Sequence, residues 1–345
     1  MPQLFPVNSA RYGLVFWTLF GGGCSRETPP DPSESQIQAV SFAASGAALS
    51  AERGLSWKRD EGFLLANHTV PTVLEMAHET VLFTSAPERG HIAIHRSKDG
   101  LNWEAGGRID LGALPEGCGV TALDVSVHAT ASGYRLIVET WLRPQGLMDP
   151  SGQAVPQEDS PTRFCALDSP DGQTWTPMDS PLDWPGLSAS WPSGLEFVPQ
   201  SRGEHFFYVD TYPDLDGIRF GAIENGVLVS KGQRATLLPS THVDPAPVLL
   251  EQGGVRLYHS RSLEGVLAFS DSSDGVQFGE SVPLDGLSGQ VCHAPPERPS
   301  APDKCYLDPA FLRLKDDRLV LYFSVFESLP GGVERRGIGR AYAVD

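Results

Sequence analysis

Ser97-Lys98-Asp99-Gly100-Leu101-Asn102-Trp103 decides the fold, because it recurs. The second copy is Ser169-Pro170-Asp171-Gly172-Gln173-Thr174-Trp175, and the third is Ser272-Ser273-Asp274-Gly275-Val276-Gln277-Phe278. Each copy follows an alternating, strand-like run: His91–His95, Phe164–Leu167 and Val266–Phe269. Asp and Gly at adjacent positions make a tight hairpin turn, with Gly taking positive φ and Asp bonding the turn's own N–H groups. The aromatic three residues after Gly is then placed to pack between sheets.

Two weaker copies extend the series. Arg53-Gly54-Leu55-Ser56-Trp57 has Arg for Asp, and Glu224-Asn225-Gly226 follows the strand-like run Arg219–Ile223. Copies stand about fifty residues apart, except across a Pro/Gly-rich insertion at 144–161. Upstream of each turn lie an inner strand and a second strand. These are Val70–Val73 with Thr80–Thr84, Asp124–Val127 with Tyr134–Glu139, and Trp191–Gly194 with His205–Val209. Asp244–Pro247 with Arg256–His259, and Asp308–Phe311 with Leu319–Ser324, complete the set. A single unit would leave an apolar sheet face exposed, so the units must stack on one another. The last unit runs out at Gly337–Val344, before a turn of its own, and the orphan copy at Arg53–Trp57 is free to supply its outer strand. The expected fold is all-β: a five-bladed β-propeller of four-stranded antiparallel blades, its ring closed by an N-terminal strand.

Composition agrees. The 345 residues include 36 Gly and 29 Pro and are only 20% charged, as suits many short strands joined by tight turns. A formal net charge of -17 argues against nucleic acid or an anionic membrane surface as partner. The N-terminus carries the apolar run 13–20 behind Arg11, then Gly21, Gly22, Gly23 and Cys24. That run is too short to span a bilayer and fits a signal-peptide core. The small residues before Cys24 resemble a bacterial lipobox, although Gly21 stands where Leu is usual. The expected organisation is therefore a signal peptide over 1–24 with lipidation at Cys24, a disordered tether over 25–36, and the propeller over 37–345. Cys118, Cys165, Cys292 and Cys305 remain, an even number that suggests two disulfides in an exported protein at the cell envelope. Their order groups Cys118 with Cys165 and Cys292 with Cys305. No metal-ligand spacing occurs, and no cofactor is expected.

An Asp-Pro inner strand, a second strand and an S-x-D-G-x-x-W hairpin together resemble the five-bladed propellers of glycoside hydrolase family 43 and its relatives. These include arabinanases, β-xylosidases, invertases and levansucrases, and the resemblance covers roughly residues 50–345. It implies a pocket where the inner strands begin, with a base from the first blade, an orienting Asp from the second and an acid Glu from the third. Carried onto this chain, the base position falls on Val70 and the orienting Asp on Asp124. The third-blade segment Ser190-Trp191-Pro192-Ser193 holds no carboxylate.

Carboxylates occur nearby instead. A relocated acid/base set would draw on Asp124, Glu139 and Asp244. Substrate contacts would come from Trp141, Arg143, Trp191, Asp210, Tyr212, His242, His259, Arg261, Asp308 and Glu327. His242, two residues before Asp244, is expected on the same strand face. Two functions stay open: a monomeric glycosidase-like enzyme acting on a carbohydrate, or a non-catalytic lipoprotein binding a glycan or protein in the same pocket. In the second, the Asp-Pro acids cap inner strands, and the aromatics fill blade interfaces.

Overall fold

The computed structural model describes residues 48–86, 90–119, 121–141, 162–184, 192–198, 205–210, 217–224, 226–230, 237–238, 242–261, 264–287, 303–329 and 333–344. Expectations for the signal segment and Cys24, the tether, Arg143, the insertion, Trp191, Tyr212 and Cys292 lie outside these residues.

Two short strands, β1 (Trp57–Arg59) and β2 (Leu65–Ala66), come first in the chain and join the last blade. Blade one is β3 (Thr69–Glu75), β4 (Thr80–Ala86), β5 (His91–Ser97) and β6 (Glu104–Asp110). Blade two is β7 (Thr121–Thr130), β8 (Gly133–Trp141), β9 (Thr162–Ser169) and β10 (Thr176–Pro177). Blade three is β11 (Pro192–Phe197), β12 (His205–Asp210), β13 (Gly217–Glu224) and β14 (Val227–Ser230). Blade four is β15 (His242–Leu249), β16 (Val255–Arg261), β17 (Val266–Ser272) and β18 (Val282–Pro283). Blade five is β19 (Asp303–Arg313), β20 (Leu319–Leu329) and β21 (Val333–Ala343), with β1 as its outer strand. Every pairing within a blade is antiparallel. Inner strands β3, β7, β11, β15 and β19 touch one another in a closed cycle around the axis.

The repeated turn behaves as its chemistry requires. Asp99 Oδ1 accepts from the N–H groups of Leu101 and Asn102, both at 2.9 Å, and from Ser97 Oγ at 2.8 Å. Asp171 and Asp274 repeat this pattern. The glycines beside them sit at φ 70°, 71° and 72°. These bonds to the ionised form hold all three carboxyls below the usual carboxylate range.

Each turn's aromatic meets one repeated position on the preceding blade's second strand. Trp103 stands edge-on to Tyr322, Trp175 to Phe83, Phe278 to Phe207 and Trp57 to Tyr258. The turn at Gly226 has no such aromatic, and the matching position on blade two is Val138. Both halves of that one contact are missing together.

Five apolar clusters fill the gaps between successive blades, one per gap. The ring closes as expected: Trp57, Lys58 and Arg59 pair with Ala343, Tyr342 and Ala341. Arg256, with 1% of its surface exposed, fastens the incoming chain by donating to the carbonyls of Ala51 and Arg53, while Asp271 holds its guanidinium. Cys118 is bonded to Cys165, and Cys305 is also in a disulfide whose partner lies outside the described residues.

Candidate functional site

All five inner strands break register where they reach the axis. The slips fall between Thr69 and Thr72, Ala122 and Val125, Ser193 and Glu196, Val243 and Ala246, and Leu307 and Ala310. One extra residue in a strand bends it and re-aims its side chains. In four blades the first extra residue is left-handed: Val70 at φ 50°, Gly194 at 59°, Asp244 at 55° and Asp308 at 50°. Proline follows in three of them, where the broken ladder asks for no N–H. These bulges surround a narrow axial pocket of about 20 Å³. Val70, Pro71, Leu195, Pro245 and Pro309 supply its apolar walls, and Asp124, Glu196, Asp244 and Asp308 its acids.

The acids stand mostly in pairs. Asp124 and Glu139 hydrogen-bond each other carboxyl to carboxyl. Gly194 N–H donates to both, at 2.8 Å to Asp124 Oδ2 and 3.0 Å to Glu139 Oε2, and Ser193 Oγ bridges the same two groups. Burial, with the Asp124 charge added, pushes Glu139 well above the carboxylate range, and burial raises Asp124 too, so the pair keeps a proton between its two carboxyls. On the opposite side Asp308 stands to Asp244 as Glu139 does to Asp124. Burial and the Asp244 charge raise Asp308 strongly, and Asp244 is pushed up to about 6, first by burial and then by Asp124. Ser260 and Asp308 N–H bond Asp244, and Ser324 bonds Asp308. Gly194 separates the pairs: a β-carbon there would meet Asp124 Oδ2 at 3.7 Å and the Asp244 backbone at 3.8 Å.

Glu196 is the fifth acid, and the sequence reading passes over it. It accepts from Ser126 Oγ at 2.9 Å, and Thr72 of blade one also bonds it, so it braces three blades. Burial pushes it up to about 8. The available signal was a lone acid within the apolar inner-strand run Leu195–Val198. Among the described residues no Arg, Lys or His pairs with any of these five carboxyls, and no group of three or more His, Cys, Asp or Glu is placed to hold a metal ion.

Of the expected site residues, Asp124, Glu139, Asp244 and Asp308 come together here. The others that are described do not line the pocket. His242 and His259 pack with tilted rings 4.8 Å apart inside blade four, because the bulge turns Asp244 out of phase with His242. Burial, then His242, holds His259 down to about 3. Arg261 pairs with Glu264, and Glu327 is held between Lys304 at 2.7 Å and Arg335 at 2.6 Å. Trp141 ends β8 beside Thr121, and Asp210 ends β12 beside Pro192.

Val70 is the departure. Ser324 Oγ receives its N–H at 2.8 Å, which fixes the left-handed turn. For a β-branched residue that conformation costs about 1–3 kcal/mol, whereas Gly and Asp tolerate it better.

Solved structures with a similar fold include glycosidases. A thermostable family-43 glycoside hydrolase superposes with TM-score 0.54 at 13% identity, covering 84% of this chain and 96% of its own. An α-L-arabinofuranosidase from Lactobacillus brevis gives 0.54 at 14% identity, over 80% of this chain and 91% of that one. A GH43_1 enzyme from Xanthomonas citri, also solved with xylose, gives 0.53 at 9% identity over 86% and 91%. At these identities the likeness establishes the fold. No protein-family model matches the sequence, and no curated protein resembles it.

Proposed function

We propose that this glycoside-hydrolase-like propeller binds a carbohydrate at the mouth of its axial pocket and works there as a binding protein. The carrying observation is the pairing of acids. Each pair, Glu139 with Asp124 and Asp308 with Asp244, keeps a proton between its own members, and Gly194 N–H and Ser193 tie down the first pair. Glycosidic cleavage needs a protonated and an ionised carboxyl flanking the bond, about 5–10 Å apart. Val70 at the first-blade position supplies neither. Asp124 and Asp244 remain as acceptors for sugar hydroxyls, each such bond to a charged group contributing about 1.5–3 kcal/mol.

Hydrolysis is the second reading. One observation favours it: Glu196, raised to about 8, and Asp244, raised to about 6, both line the pocket, and an acid/base pair needs two carboxyls whose ranges are set apart in this way. The test is a panel of arabino- and xylo-oligosaccharides assayed for binding and for cleavage, with wild type, Asp124→Asn and Glu196→Gln. Binding that weakens in Asp124→Asn, without release of reducing ends, supports the binding function. Turnover lost in Glu196→Gln would replace it with the hydrolase. If no sugar binds or is cut, the pocket is not a carbohydrate site.

The protein is further proposed to be exported and anchored through lipid on Cys24, acting as a monomer at the cell envelope. The disulfides at Cys118–Cys165 and at Cys305 support an oxidising compartment. Labelling with a radioactive fatty acid in wild type but not in Cys24→Ala would bear this out; equal labelling would refute it.

A further inference from the structure

A cavity of about 260 Å³ opens between blades one and five, against about 20 Å³ for the axial pocket. It lies at the ends of β3 and β19 farthest from the bulges, where Glu75 closes one strand and Arg313 the other. Leu312, Leu314 and Thr80, all buried, form its floor. Two locked turns form its walls. On the blade-one side Asp99 holds the turn, and Gly100 seats it on the floor: a β-carbon there would stand 2.6 Å from Leu314 and 2.8 Å from Leu312. On the blade-five side Leu314 N–H donates to the Arg318 carbonyl at 2.8 Å, and Asp317 N–H to the Leu314 carbonyl at 2.9 Å. Each turn carries a lysine into the lining, Lys98 from one blade and Lys315 from the other.

The charges around this cavity are only partly matched. Arg313 binds Asp317, and Arg318 binds Asp316. Asp99 spends both oxygens on its own turn, accepting from Ser97, Leu101 and twice from Asn102. Among the described residues Lys98, Lys315 and Glu75 form no ion pair, in a chain with 43 acidic side chains to 26 basic ones. Lys315 reaches only the Ala77 carbonyl, at 3.5 Å. Two free ammonium groups from different blades suit an oxyanion, which each can meet as a point charge. Glu75 and Thr80 are then left for hydroxyl groups on the same ligand. We propose that this cavity is a second ligand site, taking a sugar that carries a carboxylate, sulfate or phosphate. It stands whether or not the axial pocket takes a neutral sugar.

Calorimetry at low salt tests it with glucuronate, glucose 6-sulfate and glucose 6-phosphate, each against glucose and against inorganic sulfate or phosphate. The wild type is expected to bind at least one charged sugar about 10-fold or more tightly than glucose and than the bare ion, as charge-assisted hydrogen bonds allow. The sugar that binds best identifies the oxyanion. Lys98→Gln/Lys315→Gln should weaken that binding by about 10-fold or more, and added salt should weaken it in the wild type. Both lysines are exposed, so the double variant should melt with the wild type. Asp124→Asn should bind the charged sugar as the wild type does. Binding that is undiminished in the double lysine variant, or lost in Asp124→Asn, puts the charged sugar elsewhere and overturns the proposal. A charged sugar that binds no better than glucose or the bare ion overturns it too, as does binding of none of them. Each of these outcomes leaves the axial reading to its own test with neutral oligosaccharides.

Discussion

Asp124 and Glu139 hydrogen-bond each other carboxyl to carboxyl across neighbouring strands of blade two and hold a proton between them. Glu139 is 1% exposed, and its other contacts are Ser193 Oγ and Gly194 N–H of blade three. The pair therefore staples two blades as well as facing the pocket. Glu139→Ala removes the acceptor and leaves those donors to Asp124 alone. The expected loss is about 1–3 kcal/mol of stability, measured by urea denaturation at pH 6. Glu139→Gln keeps a donor toward Asp124 and should lose less.

Stability should fall as pH rises above the ordinary carboxylate range. A carboxyl with a raised folded pKa binds more protons folded than unfolded between its two pKa values. Its unfavourable effect is absent below the unfolded pKa and complete above the folded one. For Glu196 that window runs from its ordinary value of 4.5 to about 8, and for Asp244 from 3.8 to about 6. Glu139 and Asp308 shift in the same direction. The melting temperature should therefore drop between pH 5 and pH 8. Glu196→Gln, which has no proton to lose, should be about 1–3 kcal/mol more stable than wild type at pH 8 and nearly equal at pH 5. Parallel pH profiles for the two proteins would contradict this.

Trp57 carries the closure of the ring. Its indole packs edge-on to Tyr258 at 6.0 Å and donates to the Gly54 carbonyl at 2.9 Å, and Tyr258 OH donates to the same carbonyl at 3.1 Å. Trp57→Ala should cost about 3–5 kcal/mol, the range for removing a buried aromatic. Limited proteolysis should then cut the chain before residue 60 first, because β1 holds only three pairs to β21.

These two regions differ in how far the sequence discloses them. Trp57 was readable because its turn is local: Gly54 and Trp57 are close enough in the chain for spacing alone to place the aromatic. The count of blades and the N-terminal closure followed from that. Asp244 and Asp308 were readable from the repeated register of the inner strands, whereas Asp124 is the second residue of its bulge, one place past Leu123, which takes the position they hold. Glu196 was not readable, and neither was the separation of His242 from Asp244. Both depend on a bulge, where one extra residue changes which face every later side chain occupies. No residue type marks a bulge uniquely here, since Val, Gly and Asp all occupy the left-handed position. The pairing of Glu139 with Asp124 was hidden for another reason: it needs blade three to bring Gly194 and Ser193 against blade two.

The Cys118–Cys165 bond closes a loop with a sequence separation of 47, from the segment before β7 to the middle of β9. The chain-entropy model gives about 4 kcal/mol for a loop of that length, with measured bridges commonly nearer 2–4 kcal/mol. At the gap to blade three the repeated aromatic pair gives way to Trp184, which packs against Phe164 of blade two and Phe206 and Tyr208 of blade three. Val138 stands where Phe83, Phe207, Tyr258 and Tyr322 stand elsewhere. The double variant Cys118→Ser/Cys165→Ser should consequently melt well below the wild type, with hydrogen exchange rising first in β7 to β9. Cys305 is disulfide-bonded too, so reductant acts on more than one bridge in the wild type. Adding reductant to the double variant isolates the remaining contribution. A further fall in melting temperature is expected there, and no fall would mean that the bridge at Cys305 adds little to the fold.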